Sequence, residues 1–166
     1  WQKHVKLDDI SPILELQPQF IASVPSGAFW DGDAIQVCEE KGIGWGGIGT
    51  FRSACHSEDP ASVTEKTTEF ARRIIRQHPN VRNIVYVNSF SLTAHTKTGA
   101  ITIALDDSYD MTGDSVRTSW DKLQPFDVLF KNNPNGSVTA DARDAAESLG
   151  VEIADAKSIF KKLWKH

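Results

Sequence analysis

The chain of 166 residues has only 2 cysteines, Cys38 and Cys55, and 1 methionine. Two cysteines cannot build a disulfide scaffold, and such sparse use of the residue suggests a reducing compartment. Together with the 5 histidines they also lack the paired spacing of a zinc finger. No apolar run approaches the roughly 18 residues that cross a bilayer, and no secretory leader is visible. The expectation is an intracellular, cytoplasmic protein with no membrane partner. The chain begins at Trp1 rather than Met, as a fragment or a processed product would. Neither sign of charge dominates: 18 basic residues face 22 acidic ones, for a net charge of −4. Bulk electrostatics therefore exclude a general nucleic-acid binder but allow a local basic face.

What is present is a rhythm in the second half. Three short apolar runs each end in polar residues and are followed by helix-like sequence. They are Ala100–Leu105 before Asp106-Asp107, Phe126–Phe130 before Lys131-Asn132-Asn133, and Val151–Ala154 before Asp155. Buried strands alternating with helices predict a largely parallel sheet, whose ligands sit beyond the carboxyl ends of the strands. Thr112 and Thr139 are placed to cap the helices after the first two runs, the second ending at Gly150. His95–Gly99 reads as a hairpin turn into Ala100–Leu105, with an earlier strand at Asn83–Val87 that Phe90–Ala94 either continues or follows as a second strand. The last helix spans Lys157–Lys165. A capping box at Ser62 and Glu65 predicts a helix to about His78, with Val63, Phe70, Ala71, Ile74 and Ile75 as its apolar stripe. Phe70, Ile74, Val85, Ile103, Val128, Leu129 and Ile153 are expected in one core.

The first sixty residues read as helical and irregular. Ser11-Pro12 suggests a helix start, Pro25-Ser26-Gly27 a turn, and Asp31–Lys41 a short helix stopped by Gly42, with a strand at Ala34–Cys38 as the alternative. Gly42, Gly44 and Gly47 match G-x-G-x-x-G. No clear strand precedes them, and the next strand ends in Asn88 rather than an acid, so a close-packed turn between helices is expected instead. The whole is read as one α/β domain over 1–166. It has a single mixed sheet of four to five strands flanked by helices, with 61–166 as its core and 1–60 as the helical N-terminal part. Trp30, Trp45 and Trp120 are expected as core or partner-facing anchors.

Candidate chemistry collects at the strand ends. From Asp106 to Asp114 an oxygen-bearing side chain stands at every second position, as in a calcium loop. However, Met111 replaces the turn glycine and Arg117 the closing glutamate. Magnesium needs fewer protein ligands, and Asp106 and Asp110 are its candidate ligands. Asp106, Asp107, Asp110 and Lys131 form the candidate catalytic set, with Asn132 and Asn133 as ligand-binding neighbours. The simpler alternative is a strand end followed by a capped helix with acids at its positive end. Cys55 and His56 are adjacent, so their side chains diverge and do not make a nucleophile–base pair. Arg72, Arg73 and Arg76 on the long helix, and Lys157, Lys161, Lys162 and Lys165 on the last, are candidate phosphate contacts or a solvated face.

From Phe126 the chain reads F-D-V-L-F-K-N-N-P-N-G-S-V-T-A-D-A-R-D-A-A-E-S-L-G-V-E-I-A-D-A-K-S-I-F-K-K-L-W. This resembles the C-terminal part of Mrr-type restriction endonuclease domains. The resemblance implies a restriction-endonuclease-like fold: a helix, a mainly antiparallel strand set, then helix–strand units. It also implies an acid on one strand and Glu- or Gln-x-Lys on the next, with magnesium between them. Ala100–Asp107 carries no such pair. Glu39-x-Lys41, with Asp31 and Asp33 upstream, has the right letters but stands before the long helix, in the wrong order. Two functions follow as expectations. One is a catalytically degenerate module that binds nucleic acid or a partner protein. The other is a magnesium-dependent nuclease or phosphodiesterase using the acidic cluster, with Lys131 stabilising charge.

Overall fold

A computed structural model describes residues 4–25 and 27–165. The chain divides into two compact units: residues 1–69 with 86–89, and residues 70–85 with 90–166. The division runs through a helix and a strand that serve both units, so no linker marks it in the sequence.

The first unit is built on two pairs of short parallel strands. β1 (His4–Val5) pairs with β3 (Phe29–Trp30), and β2 (Phe20–Ser23) with β4 (Gly44–Gly47). Helices α1 (Leu7–Leu14), α2 (Gly32–Glu40) and α3 (Ile48–Cys55) accompany them. The part read as helical and irregular thus also contains a β framework. The strand alternative at Ala34–Cys38 falls, because those residues lie within α2 and the chain leaves that helix through Gly42 at φ +66°. The turn read at 25–27 centres on Ser26, which lies outside the described residues. α1 starts four residues before Ser11. Asp9 accepts the Lys6 amide at 3.0 Å, while the Ser11 hydroxyl donates back to the Leu7 carbonyl at 2.8 Å.

The glycine run is strand β4 rather than a turn between helices. A Cβ at Gly44 would stand 2.5 Å from the Phe20 ring and 2.8 Å from the Pro60 carbonyl oxygen, so the packing around this position requires glycine. No loop separates β4 from α3, which begins at Ile48, so the run cannot wrap a phosphate between a strand and a helix as a nucleotide loop does. Trp30 and Trp45 are buried with ring centroids 5.6 Å apart, and Trp45 meets the Tyr86 ring edge-on at 5.8 Å. The Trp30 indole N–H donates to Ser23 Oγ at 3.2 Å.

α4 (Lys66–Arg76) begins later than its capping box suggested. Ser62 belongs to a 3₁₀ turn over Pro60–Ser62 and donates its hydroxyl to the Asp59 carbonyl at 2.9 Å, while the Glu65 carboxylate accepts from the Thr50 hydroxyl. Both members of the expected reciprocal pair have other partners. Val63 accordingly lies outside the helix.

A five-stranded sheet runs in the order β5 (Val81–Asn88), β6 (Ser91–Thr96), β7 (Ala100–Asp106), β8 (Val128–Lys131), β9 (Glu152–Ala154). β6 and β7 are antiparallel, joined by a turn in which Thr96 Oγ1 accepts the Thr98 and Gly99 amides at 3.3 and 3.0 Å. β7, β8 and β9 are mutually parallel, crossing over through α5 (Gly113–Leu123) and α6 (Ala140–Leu149); α7 (Ile159–Lys165) ends the described chain. This is the α/β fold with a five-stranded mixed sheet flanked by helices that the strand–helix rhythm predicts. Both crossover helices start at the expected caps. Thr112 and Ser115 each accept the other's amide, at 3.2 and 3.0 Å, and Thr139 accepts the Ala142 amide at 3.2 Å.

Neighbouring residues of a strand face opposite sides. Ile103-Ala104-Leu105 and Val128-Leu129-Phe130 are nevertheless all buried, so the sheet is covered on both faces. Ile103 and Val128 lie on one face, and Leu129 on the other. The expected single core is therefore two layers, and Phe70, Ile74, Val85 and Ile153 are only half-buried. Ile103 is 0% exposed, and Ile103→Ala should cost about 2–5 kcal/mol; a denaturant midpoint close to wild type would contradict its placement.

His78 is 3% exposed beneath α7, stacked on Phe160 at 5.5 Å and edge-on to Trp164 at 4.7 Å, with Nδ1 accepting the Asn80 amide at 3.2 Å. Burial holds its pKa below the ordinary value. The folded state resists a proton that the unfolded chain accepts near pH 6.5. Stability from this site is therefore present above that pH and lost as pH falls through it towards the folded value. His78→Asn keeps an acceptor for the amide. Between pH 7.5 and 5, denaturant titrations should show a smaller loss of stability in this variant than in wild type.

Candidate functional site

Parallel pairing places Asp106 opposite Lys131, so the two polar clusters of the sequence meet at one end of the sheet. The Asn132 amide donates to the Asp106 carbonyl at 2.9 Å, extending the ladder one residue past the strands. Asn132 Nδ2 donates to Asp107 Oδ1 at 2.7 Å, and Asn133 Nδ2 to the Asp107 carbonyl at 3.3 Å. The third cluster lies beyond β9, where Asp155 accepts the Lys157 and Ser158 amides at 3.1 and 2.7 Å and so opens α7.

All the acids and the lysine of the candidate catalytic set stand at this rim; Asp106 and Lys131 are buried and engaged within it, while Asp107 and Asp110 are exposed and each engages one carboxylate oxygen, Oδ1. Asp106 is 8% exposed. Its Oδ1 accepts the Ser108 amide at 2.8 Å, and its Oδ2 accepts the Ser115 hydroxyl at 2.9 Å. Asp110 accepts both the amide and the hydroxyl of Ser137, at 2.7 and 2.9 Å. The Ser137 hydroxyl, then its amide, hold the Asp110 carboxyl below the ordinary carboxylate range, with Lys131 adding to the effect. Lys131 is 6% exposed. Its ammonium donates to the carbonyls of Tyr109 at 3.0 Å, Asn133 at 2.7 Å and Asn135. An ammonium has three protons, and all three are used.

The sequence did not single out Ser108, Ser115 or Ser137, the residues that occupy the carboxylates. Only Ser115 carried a signal, as the third residue after the Thr112 cap. The partners of Lys131 are backbone carbonyls, which no residue type announces. Gly136 closes the turn at φ +73°, where a Cβ would stand 1.9 Å from the Tyr109 carbonyl oxygen.

The basic candidates lie elsewhere. Arg73 and Arg76 are exposed on the last turn of α4, and Arg72 is half-buried. Two residues beyond α4, His78 precedes Asn80, whose carbonyl accepts the Lys97 amide at 3.0 Å. Lys97 is in the β6–β7 turn, at the end of the sheet away from Asp106. The arginines therefore do not join the acidic rim. Glu39 lies in α2 and Lys41 follows it, so Glu39-x-Lys41 is not on a strand.

Among the described residues no group of three or more His, Cys, Asp and Glu is placed to hold a metal ion, and no helix is long and apolar enough to cross a membrane. Cys38 is buried, which pushes its thiol up to about 11, with Glu39 adding to the rise. A thiol so raised is a poor nucleophile. No family model, curated protein or solved structure matches this chain.

Removing the Lys131 ammonium would orphan three carbonyls at once. Lys131→Met should destabilise the protein by about 3 kcal/mol or more, read as a lowered denaturant midpoint. An unchanged midpoint would show that the rim does not depend on it.

Proposed function

We propose that this chain is a binding module, associated with nucleic acid, on a restriction-endonuclease-like α/β core that has no catalytic site of its own. One observation carries the reading: Lys131, the lysine opposite Asp106, spends all three protons on backbone carbonyls. A lysine that stabilises charge on a reacting phosphate must have a proton free to offer. The element order from α4 through three strands to α5–β8 and α6–β9 supports the core assignment, as does the C-terminal sequence resemblance. The central positions of β6 and β7, Leu92–Thr96 and Ile101–Leu105, hold no acid and no lysine. The exposed Arg73 and Arg76 favour a phosphate-bearing partner over a neutral one.

The alternative is a magnesium-dependent nuclease or phosphodiesterase. The convergence of Asp106, Asp107 and Asp110 on one rim favours it, with Asp106 and Asp110 as the ligands to magnesium. Calorimetric titration with magnesium and manganese separates the two. The binding module gives no saturable heat that depends on Asp106 or Asp110. Saturable binding abolished in both Asp106→Asn and Asp110→Asn, with metal-dependent cleavage of an oligonucleotide, would overturn it.

A further inference from the structure

The second unit gathers several exposed cations at one end of its sheet. From Phe70 through Leu105 the sequence contains no Asp or Glu, and none follows Asp155. The structure folds these two acid-free stretches together. The buried Asn80 side chain donates to the Leu163 carbonyl of α7 at 2.8 Å, and its own carbonyl takes the Lys97 amide. The end of α4, the start of β5, the β6–β7 turn and the last turn of α7 thus meet around one asparagine. Arg76, Lys97, Lys161 and Lys165 are exposed on these elements. Of the acids towards the same end of the sheet, Glu152 on β9 pairs with Lys162 and Asp127 just before β8 accepts the Thr102 amide at 2.7 Å, while Asp121 and Glu147 are exposed near the carboxyl ends of α5 and α6, the helices that return to that end.

Among these cations stands an exposed aromatic ring. Trp164 is 64% exposed, and its other side rests edge-on against the buried His78. The ring is held in place while much of its surface faces solvent.

We propose that this end of the sheet docks single-stranded nucleic acid, with a base stacked on Trp164 and the phosphates following Arg76, Lys97, Lys161 and Lys165; the proposal rests on the reading of the chain as a nucleic-acid-associated module. A fixed exposed ring set among lysines and arginines is the combination that single strands recognise, because an unpaired base offers its π-face and the backbone its charge. A duplex keeps its bases stacked internally and would use the cations alone. A membrane surface would need several apolar side chains on α7, and Ile159 and Leu163 are buried instead.

The test uses the full chain and a short labelled oligodeoxythymidine, with a duplex of equal length and polyglutamate as competitors, over a series of salt concentrations. The single strand should bind best, with a log–log salt slope of about −0.7 for each phosphate neutralised. Trp164→Leu should weaken single-strand binding about tenfold, and Trp164→Phe, which keeps a ring, should restore most of it. The combined variant Arg76→Gln, Lys97→Gln, Lys161→Gln, Lys165→Gln should flatten the salt slope, and its circular dichroism should match wild type. If wild type binds and these variants bind equally well, the surface is wrong while the binding-module reading stands. Tighter binding of the duplex, or competition by polyglutamate that ignores Trp164→Leu, overturns the single-strand assignment. No binding of either nucleic acid at low salt overturns both the proposal and the nucleic-acid reading beneath it.

Discussion

One buried ammonium organises the C-terminal end of the sheet. Lys131 lies opposite Asp106 in the parallel ladder and gathers the carbonyls of Tyr109, Asn133 and Asn135. Those carbonyls belong to the two loops that leave β7 and β8, so a single side chain ties both exits together. Burying a charge is costly unless every proton is matched. Here each is matched, and the tie holds the loops where the Met111 amide donates to the Ser137 carbonyl, the Met111 carbonyl accepts the Thr139 amide, and α5 and α6 begin. The parallel geometry of the sheet makes such a tie available, because parallel strands release adjacent chains at the same end.

The same geometry explains the acids. A helix that returns an open parallel sheet to its starting end presents its amino terminus at the strand exits, where amides lack partners and the dipole is positive. Asp114 and Asp141 lie in the first turns of α5 and α6, and Asp141 accepts the Gly113 amide at 3.0 Å. Asp155 opens α7 in the same way. A chain that builds three such exits accumulates carboxylates there for folding reasons alone, and it then resembles a metal site in its sequence.

Legibility in the sequence divides along this line. Thr112, Thr139 and Gly150 act on amides and carbonyls a few residues away, so their spacing alone located α5 and α6. β2 pairs with β4 through residues far apart in the chain, Phe20 opposite Gly44, and a glycine-rich strand has almost none of the side chains by which strands are recognised. Ser62 and Glu65 had the right spacing, but Pro60 fixes a tight turn first and Thr50 takes the glutamate. At the rim, the residues could be read but not their occupation, because the groups that fill Asp106 and Lys131 are serines and backbone carbonyls.

The opposite end must be judged with the dipoles in view. Arg73 and Arg76 close α4, and Lys162 and Lys165 close α7. Cations in a last turn complement the exposed carbonyls there and are favoured whether or not anything binds. Those four charges alone would therefore be weak grounds for a docking surface. Two features of that end have no such origin. Lys97 is in a hairpin turn with no helix to complement. Trp164 keeps most of its indole in water, although burying a tryptophan is among the most favourable steps open to a folding chain. Folding alone would be better served by covering that ring, as it covers Trp30 and Trp45, so its exposure at the end of the sheet that also carries Lys97 is what points to a partner.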